Sequence, residues 1–286
     1  MRVVIVDKKE AKLKLENKTL KVDTQKIPLR LIDTLILSGS YHVETKEFIK
    51  MTQEDVNIIL ISNFSNNSAI ITNTKSKNAQ LKLQQYNAQK NSLEIAKYFL
   101  THKIKSHAKH LQSIDIKTEL DPIIENIKNA TTLQTLLGIE GSFSKYYFTN
   151  YFKLFPKHLH SNKRTKNPPL DPINATMSFL YMLFYNFISI KLISFGFEPS
   201  IGFLHKAFRS HNALSSDFME LVRADINAFV HTSFKDGKLQ TSDFSKKGGV
   251  YLKYDGRKKL WSDIKALMDR FDPKIDTEVA NLRAMF

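Results

Sequence analysis

The apolar residues change their period near residue 73, and that change restricts the architecture more than any other feature of the chain. Before it, residues 2–6, 11–16, 18–23, 31–37, 56–61 and 69–72 form short runs that alternate or are rich in β-branched side chains. Such runs predict strands. Glu16-Asn17-Lys18 supplies a hairpin turn, Ser38-Gly39-Ser40 ends an apolar run, and residues 45–51 predict one short helix with Thr45 as its cap. After Asn73 the spacing is helical. Residues 78–112 predict a long helix with Leu81, Tyr86, Ile95, Phe99 and Ile104 turned inward. Further helices are expected over 121–129, 132–155, 171–195, 215–229 and 257–271, with a short strand at 250–254 and a loosely packed tail after Pro273. The expected fold is α+β. A small β-sandwich-like domain of two packed sheets covers 1–73, and a larger all-α domain covers 74–286.

The most apolar stretch, 171–195, is long enough to raise the question of a membrane. Asn186, three serines and Lys191 interrupt it, so a helix buried at the domain centre is expected, stopped by Gly196. The chain has no cysteine, which excludes disulfides, thiolate zinc sites and a cysteine nucleophile, and any metal must rest on His, Asp and Glu. That composition, with no signal-peptide core in the first residues, leads to an expected cytoplasmic location.

The formal net charge is +15. Residues 1–73 carry only +2 of it (11 basic, 9 acidic), and the remainder carries +13 (32 and 19). No acidic residue lies between Glu140 and Asp171, where Lys145, Lys153, Lys157, Lys163, Arg164 and Lys166 all fall. Aromatic residues from Phe143 to Phe155 interleave with them. Cations beside flat rings suit a phosphate backbone and unstacked bases. An amphipathic helix with an aromatic core face explains the rings equally well. The segment SNKRTKNPP reads as a mobile loop that touches phosphate.

Three places carry candidate chemistry. Glu140 lies in LLGIEG, an apolar helix in which Gly138 and Gly141 make sense if a backbone or ligand comes close. His205 ends the apolar run GFEPSIGFLH. Asp217 and Glu220 are three apart in SSDFMELVR and share a helix face, with Arg223 a turn further on. Oxygen donors with one imidazole suit Mg²⁺ or Mn²⁺ better than structural zinc. A hydrogen-bonded structural histidine and a solvated carboxylate face are the plainer readings of the same spacing. No phosphate-cradling P-loop, dinucleotide fingerprint, H-E-x-x-H or G-x-S-x-G occurs. The triplet His102, His107 and His110 reads as part of a basic helix, and His158 and His160 as supplements to the charge of the loop.

Six segments in this order, IPLRLIDTLILSG, LLGIEG with Tyr147-Phe148, NPPLDPINATMSFLYMLFYN, GFEPSIGFLH, DFMELVR and FSKKGGVYLKYDGRKKL, span nearly the whole chain. Together they resemble the CRISPR-associated adaptation integrase, the endonuclease-like subunit that inserts new spacers into a repeat array. The resemblance implies a metal-dependent DNA nuclease and integrase in which Glu140, His205 and Glu220 hold Mg²⁺ or Mn²⁺ and Asp217 stands behind them. Lys145, Lys153, Lys157, Lys163, Arg164, Lys166, Arg223, Lys246, Lys247, Arg257 and Lys258 are candidate contacts to double-stranded DNA, both spacer precursor and repeat array. It further implies a homodimer formed through the N-terminal domain, flanking a small ferredoxin-like adaptation protein, with no membrane partner. The chain departs from the family pattern at Phe143-Ser144, at His211-Asn212-Ala213 and at Ser106-His107. A transposon-type integrase and a catalytically silent DNA-binding scaffold are the alternative readings. The former is expected to carry a further C-terminal DNA-binding domain, and the latter to use its carboxylates in structural ion pairs such as Glu220 with Arg223.

Overall fold

The computed structural model describes residues 1–62, 67–73, 75, 77–206 and 211–286. Its N-terminal part is one six-stranded mixed sheet in the order β3-β2-β1-β4-β5-β6. The strands are β1 (Val3–Glu16), β2 (Thr19–Val22), β3 (Gln25–Pro28), β4 (Thr34–His42), β5 (Asn57–Ile61) and β6 (Ser68–Ile71). The two expected sheets are therefore joined. β1 is long enough to serve both halves, pairing parallel with β4 over residues 3–12 and antiparallel with β2 over 13–16. Its register slips between Lys8 and Glu10, opposite Gly39. A Cβ on Gly39, whose φ is +146°, would lie 1.8 Å from the Lys8 carbonyl oxygen, so glycine lets β4 run on where the sequence suggested a stop. Asn17 and Lys18, both at positive φ, make the hairpin turn into β2.

The helix α1 (Thr45–Gln53) joins β4 to its parallel neighbour β5, and its N-cap is Glu44 rather than Thr45. β4 and β5 alternate between two cores. Leu35, Leu37 and Ile58 pack with Leu13, Leu20, Val22 and Met51 inside the N-terminal domain. Ile36, Ile59 and Ile61 join the core of the helices instead. Near-continuous apolar runs are the signature of strands covered on both faces.

The helical domain contains α2 (Ala79–Asn87), α3 (Ser92–Gln112), α4 (Asp121–Asn129), α5 (Leu133–Tyr151), α6 (Pro172–Phe195), α7 (Ala213–Glu220), α8 (Arg223–Lys235) and α9 (Tyr254–Ala284). The expected helix over 78–112 is interrupted by a 3-10 turn at Ala88–Asn91. The helix expected over 215–229 divides after Glu220. A two-stranded hairpin, β7 (Phe244–Lys246) and β8 (Val250–Leu252), interrupts the otherwise all-α part. α6 is the one helix among the described residues long and apolar enough to cross a membrane, and it is the buried centre of this domain. Asp171 caps its start, and Lys191 is buried in ion pairs with Asp272 and Asp276 of α9.

α9 also closes the seam with the sheet. Trp261 donates its indole N–H to Asp7 Oδ2 at 2.5 Å, and Tyr254 donates its hydroxyl to the Asp7 carbonyl. The tail after Pro273 is not loose. Helical spacing continues through the proline and buries Ile275, Val279 and Leu282 against the core. Leu282→Ala is expected to cost about 3 kcal/mol of unfolding free energy, since it empties a fully buried site. Urea unfolding of the variant beside the parent checks this; a loss below 0.5 kcal/mol, the size of a surface substitution, contradicts the packed tail.

Candidate active site and its family

The helices α3, α5, α7 and α8 and the loop after α6 converge on one charged cluster. Glu140 stands on α5, Glu220 ends α7, Arg223 begins α8, and His205 lies in the loop. At the centre is Lys103 of α3, which sequence reasoning missed. Its side chain is 4% exposed, donates a hydrogen bond to Glu140 Oε1, and places Nζ 2.9 Å from Glu220 Oε2. A signal was present, since Lys103 falls four residues from Phe99 and four from His107 on the buried face of α3. A lysine at that spacing needs an anion.

Glu220 is 1% exposed, and Arg223 Nη2 approaches its Oε1 at 3.2 Å. Burial alone would raise its carboxyl; the charges of Arg223, Lys103 and His205 outweigh that and hold it at about 2. Burial likewise opposes ionisation of Glu140. The charge and hydrogen bond of Lys103, with the hydroxyl of Ser144 at 2.8 Å, hold it below the usual carboxylate range. Ser144, one of the departures from the family pattern, thus contacts a candidate site residue.

Asp217 is not on a solvated face. It is fully buried and accepts the backbone N–H groups of Phe203, Leu204 and His205, and its Oδ1 lies 2.7 Å from His205 Nδ1. Gly202 makes this approach possible, because a Cβ there would lie 2.9 Å from Asp217 Oδ2 and 2.7 Å from the Ala213 backbone. With Nδ1 directed at a carboxylate, the imidazole presents Nε2, which faces Glu220 Oε1 at 3.7 Å.

Two carboxylates and one imidazole are a donor set suited to a hard or borderline divalent ion. Glu220 Oε2 supports that use, as it is buried and, beyond its ion pair with Lys103, makes no hydrogen bond. Among the described residues, however, no three His, Asp or Glu side chains are gathered tightly enough to enclose an ion. The ammonium of Lys103 stands between the two carboxylates.

Beside the cluster opens a cavity of about 440 Å³, with Lys145, Lys163, Arg164, Lys166 and Arg223 among its lining residues and Tyr181 and Phe148 on its wall. The guanidinium groups of Arg164 and Arg223 lie 5.4 and 5.2 Å from the centre of the Tyr181 ring. The basic loop is tied to its surroundings by hydrogen bonds. Asp171 accepts from the N–H and hydroxyl of Ser161, Asn174 receives Arg164 and the Thr165 N–H, and Val250 of the hairpin donates to the Pro169 carbonyl.

The remaining basic candidates divide. Lys153, Lys157, Lys246, Lys247 and Lys258 are exposed. Arg257 is 3% exposed, donates to the Leu252 carbonyl and faces Asp7 at 3.7 Å, so its charge serves the interdomain seam and is withdrawn from any surface polyanion. Phe143, Tyr147, Tyr151, Phe152 and Phe155 are buried core, which decides most of the aromatic run against base stacking. Gly138 and Gly141 have nothing within 4 Å of a hypothetical Cβ, so no backbone among the described residues accounts for them.

A family profile described as CRISPR associated protein Cas1 matches residues 4–266. The chain belongs to the Cas1 family. It is 30% identical over 284 residues to a CRISPR-associated endonuclease Cas1 of Thermodesulfovibrio yellowstonii, covering 91% of this chain and 89% of that one. Its fold is that of a solved CAS1 protein from Thermotoga maritima, with a TM-score of 0.89 at 18% identity over 99% of this chain and 96% of the other. A casposase bound to integration product shares the fold with a TM-score of 0.82 at 21% identity, over 93% and 82% of the two chains.

Two histidines of α3 in this Cas1 family member are not basic. His107 is buried with Nδ1 2.8 Å from the Lys103 carbonyl, and His110 lies 2.7 Å from the Tyr147 hydroxyl. Burial, reinforced by the charge of Lys103, lowers His107 to about 3; burial, with His231 nearby, lowers His110 to about 4. An unfolded imidazole takes up its proton near pH 6.5, well before the folded ones do. The unfolded chain therefore binds more protons below that pH, and stability falls as pH drops from about 6.5 toward 4 by up to about 1.4 kcal/mol per unit for each histidine. Unfolding free energies at pH 7, 6 and 5 check this, and His110→Gln is expected to flatten the slope.

Proposed function

We propose that the chain is a metal-dependent DNA endonuclease and integrase that inserts short DNA segments as new spacers into a CRISPR repeat array. The observation that carries the reading is the meeting of Glu140, Glu220 and an Asp217-held His205 beside a cation-lined cavity. Family membership, a curated relative named an endonuclease and a neighbour of the same fold described with an integration product support it.

In this reading Glu140, Glu220 and His205 Nε2 hold Mg²⁺ or Mn²⁺. The bound ion supplies charge to a phosphoryl oxygen and lowers the pKa of the attacking hydroxyl. Asp217 fixes the imidazole so that Nε2 is available and does not itself bind the metal. Lys145, Lys163, Arg164, Lys166 and Arg223 hold the phosphodiester in the cavity, contacts that position DNA without reading its sequence. A 3′-oxygen forms a bond to phosphorus as the bond to the departing oxygen breaks, so one phosphodiester replaces another. With water as the attacking group the same arrangement hydrolyses DNA. The substrate is double-stranded DNA, the N-terminal domain over residues 1–73 mediates a homodimer, and a small ferredoxin-like adaptation protein completes the assembly.

The ion pairs of Lys103 with both carboxylates and of Arg223 with Glu220 favour a second reading, a DNA-binding scaffold with structural ion pairs. Strand transfer of a short duplex into a supercoiled plasmid bearing a repeat separates the two. Glu140→Ala, His205→Ala and Glu220→Ala are each expected to lower transfer at least 100-fold with DNA affinity retained within about threefold, the size expected when charge stabilisation at the reacting centre is lost. Transfer that survives all three substitutions refutes the catalytic assignment. DNA affinity that falls in step with transfer assigns the residues to the scaffold.

A further inference from the structure

Lys103 is the one described lysine that touches both candidate metal carboxylates, and it does so from a position that leaves almost no side-chain surface in solvent. Resting on the proposed metal site, we infer that Lys103 is a resident counter-cation that competes with the divalent ion and couples metal loading to the arrival of a phosphate.

The argument is electrostatic. A divalent ion that draws on Glu140 and Glu220 takes the charge that now neutralises Lys103, and two cations cannot share the same pair of carboxylates at these distances without strong mutual repulsion. The ammonium must move as the ion enters. Its adjoining space is the 440 Å³ cavity, whose wall Lys103 itself helps to form. That cavity already contains Lys145, Lys163, Arg164, Lys166 and Arg223. With five other cations around it and its one lining carboxylate, Glu140, given to the metal, the space repels a displaced ammonium. A phosphate in the cavity reverses the sign and gives Lys103 an anion to follow. The divalent ion and the phosphate therefore stabilise each other's binding through a side chain that can serve only one of the two anionic sites at a time. His205 and Arg223 do not fill this role, because Asp217 pins the former and the latter stays on Glu220 Oε1 while lining the cavity.

The test measures Mn²⁺ affinity of the full chain by electron paramagnetic resonance of free Mn²⁺, with and without a short DNA duplex as the phosphate source. Glu140→Gln protein with the same duplex sets the background from Mn²⁺ bound to DNA alone. For the parent, the duplex is expected to tighten Mn²⁺ binding about tenfold, within the usual range of coupling between sites. Lys103→Met is expected to bind Mn²⁺ at least tenfold more tightly than the parent without DNA and to lose most of the DNA effect. Lys103→Arg, which keeps the charge, is expected to stay weak without DNA. Thermal melting with and without Mn²⁺ identifies a variant that has failed to fold, in which case Lys103→Gln replaces Lys103→Met in the same comparison. Equal Mn²⁺ affinity for the parent and the uncharged variant, or an undiminished DNA effect in that variant, overturns the inference. If Glu140→Ala and His205→Ala leave Mn²⁺ binding of the parent unaltered, the metal site itself is refuted, a result distinguishable from failure of Lys103 alone.

Discussion

Removing the negative charge of Glu220 from water is the constraint around which the helical half of the molecule is arranged. A carboxylate at 1% exposure is tolerated only with cations at close range. Here they come from different parts of the chain, Lys103 from the middle of α3 and Arg223 from the first residue of α8, while the imidazole of His205 faces the same carboxylate from the loop that follows α6. The break between α7 and α8 is part of this solution. Glu220 and Arg223 lie on separate helices yet meet across the turn at Leu221-Val222, both of which are buried. Asp217 is handled differently. Its charge is met by three peptide N–H groups and a histidine, so a second buried carboxylate organises the loop that holds the candidate ligand. One helical turn thus carries two buried acids met in different ways, one by cations from α3 and α8 and one by peptide N–H groups and a histidine.

The sheet and the helices are less separable than a division near residue 73 suggests. β4 and β5 send alternate side chains into two cores, so one face of the sheet belongs to the helical domain. Asp7 of β1 and Trp261 of α9 seal the same boundary, with Arg257 buried behind them. A basic residue in a basic stretch was recruited for folding, which charge counting alone does not distinguish from a nucleic-acid contact.

Element type was readable from periodicity along most of the chain. The bounds of α4 match the expected range 121–129, and Thr132 and Asp171, the first residues of two expected helical ranges, are the N-caps of α5 and α6. What escaped depends on contacts between distant residues. No local rule says that residues 3–16 make one strand serving two halves of a sheet, because that follows from the partners β4 and β2. The ordering of residues 275–282 past Pro273 depends on the core that receives Ile275, Val279 and Leu282. At the site, Glu140 was conspicuous as an acid among apolar residues. Lys103 was hidden among the many lysines of α3, and its partners lie 37 and 117 positions away. His107 and His110 looked cationic by composition, yet their burial makes them neutral.

The basic loop between α5 and α6 owes its shape to the same carboxylate that starts α6. Asp171 caps the Asn174 N–H with one oxygen and gathers Ser161 with the other, while Asn174 holds Arg164 and accepts the Thr165 N–H. Side chains on a slack loop would have to lose conformational entropy each time an anion bound. On this loop the backbone and the Arg164 side chain are already tied by these bonds in the fold. If DNA binds as proposed, it meets a loop whose backbone and Arg164 are already held in place, with Lys163 and Lys166 exposed beside them.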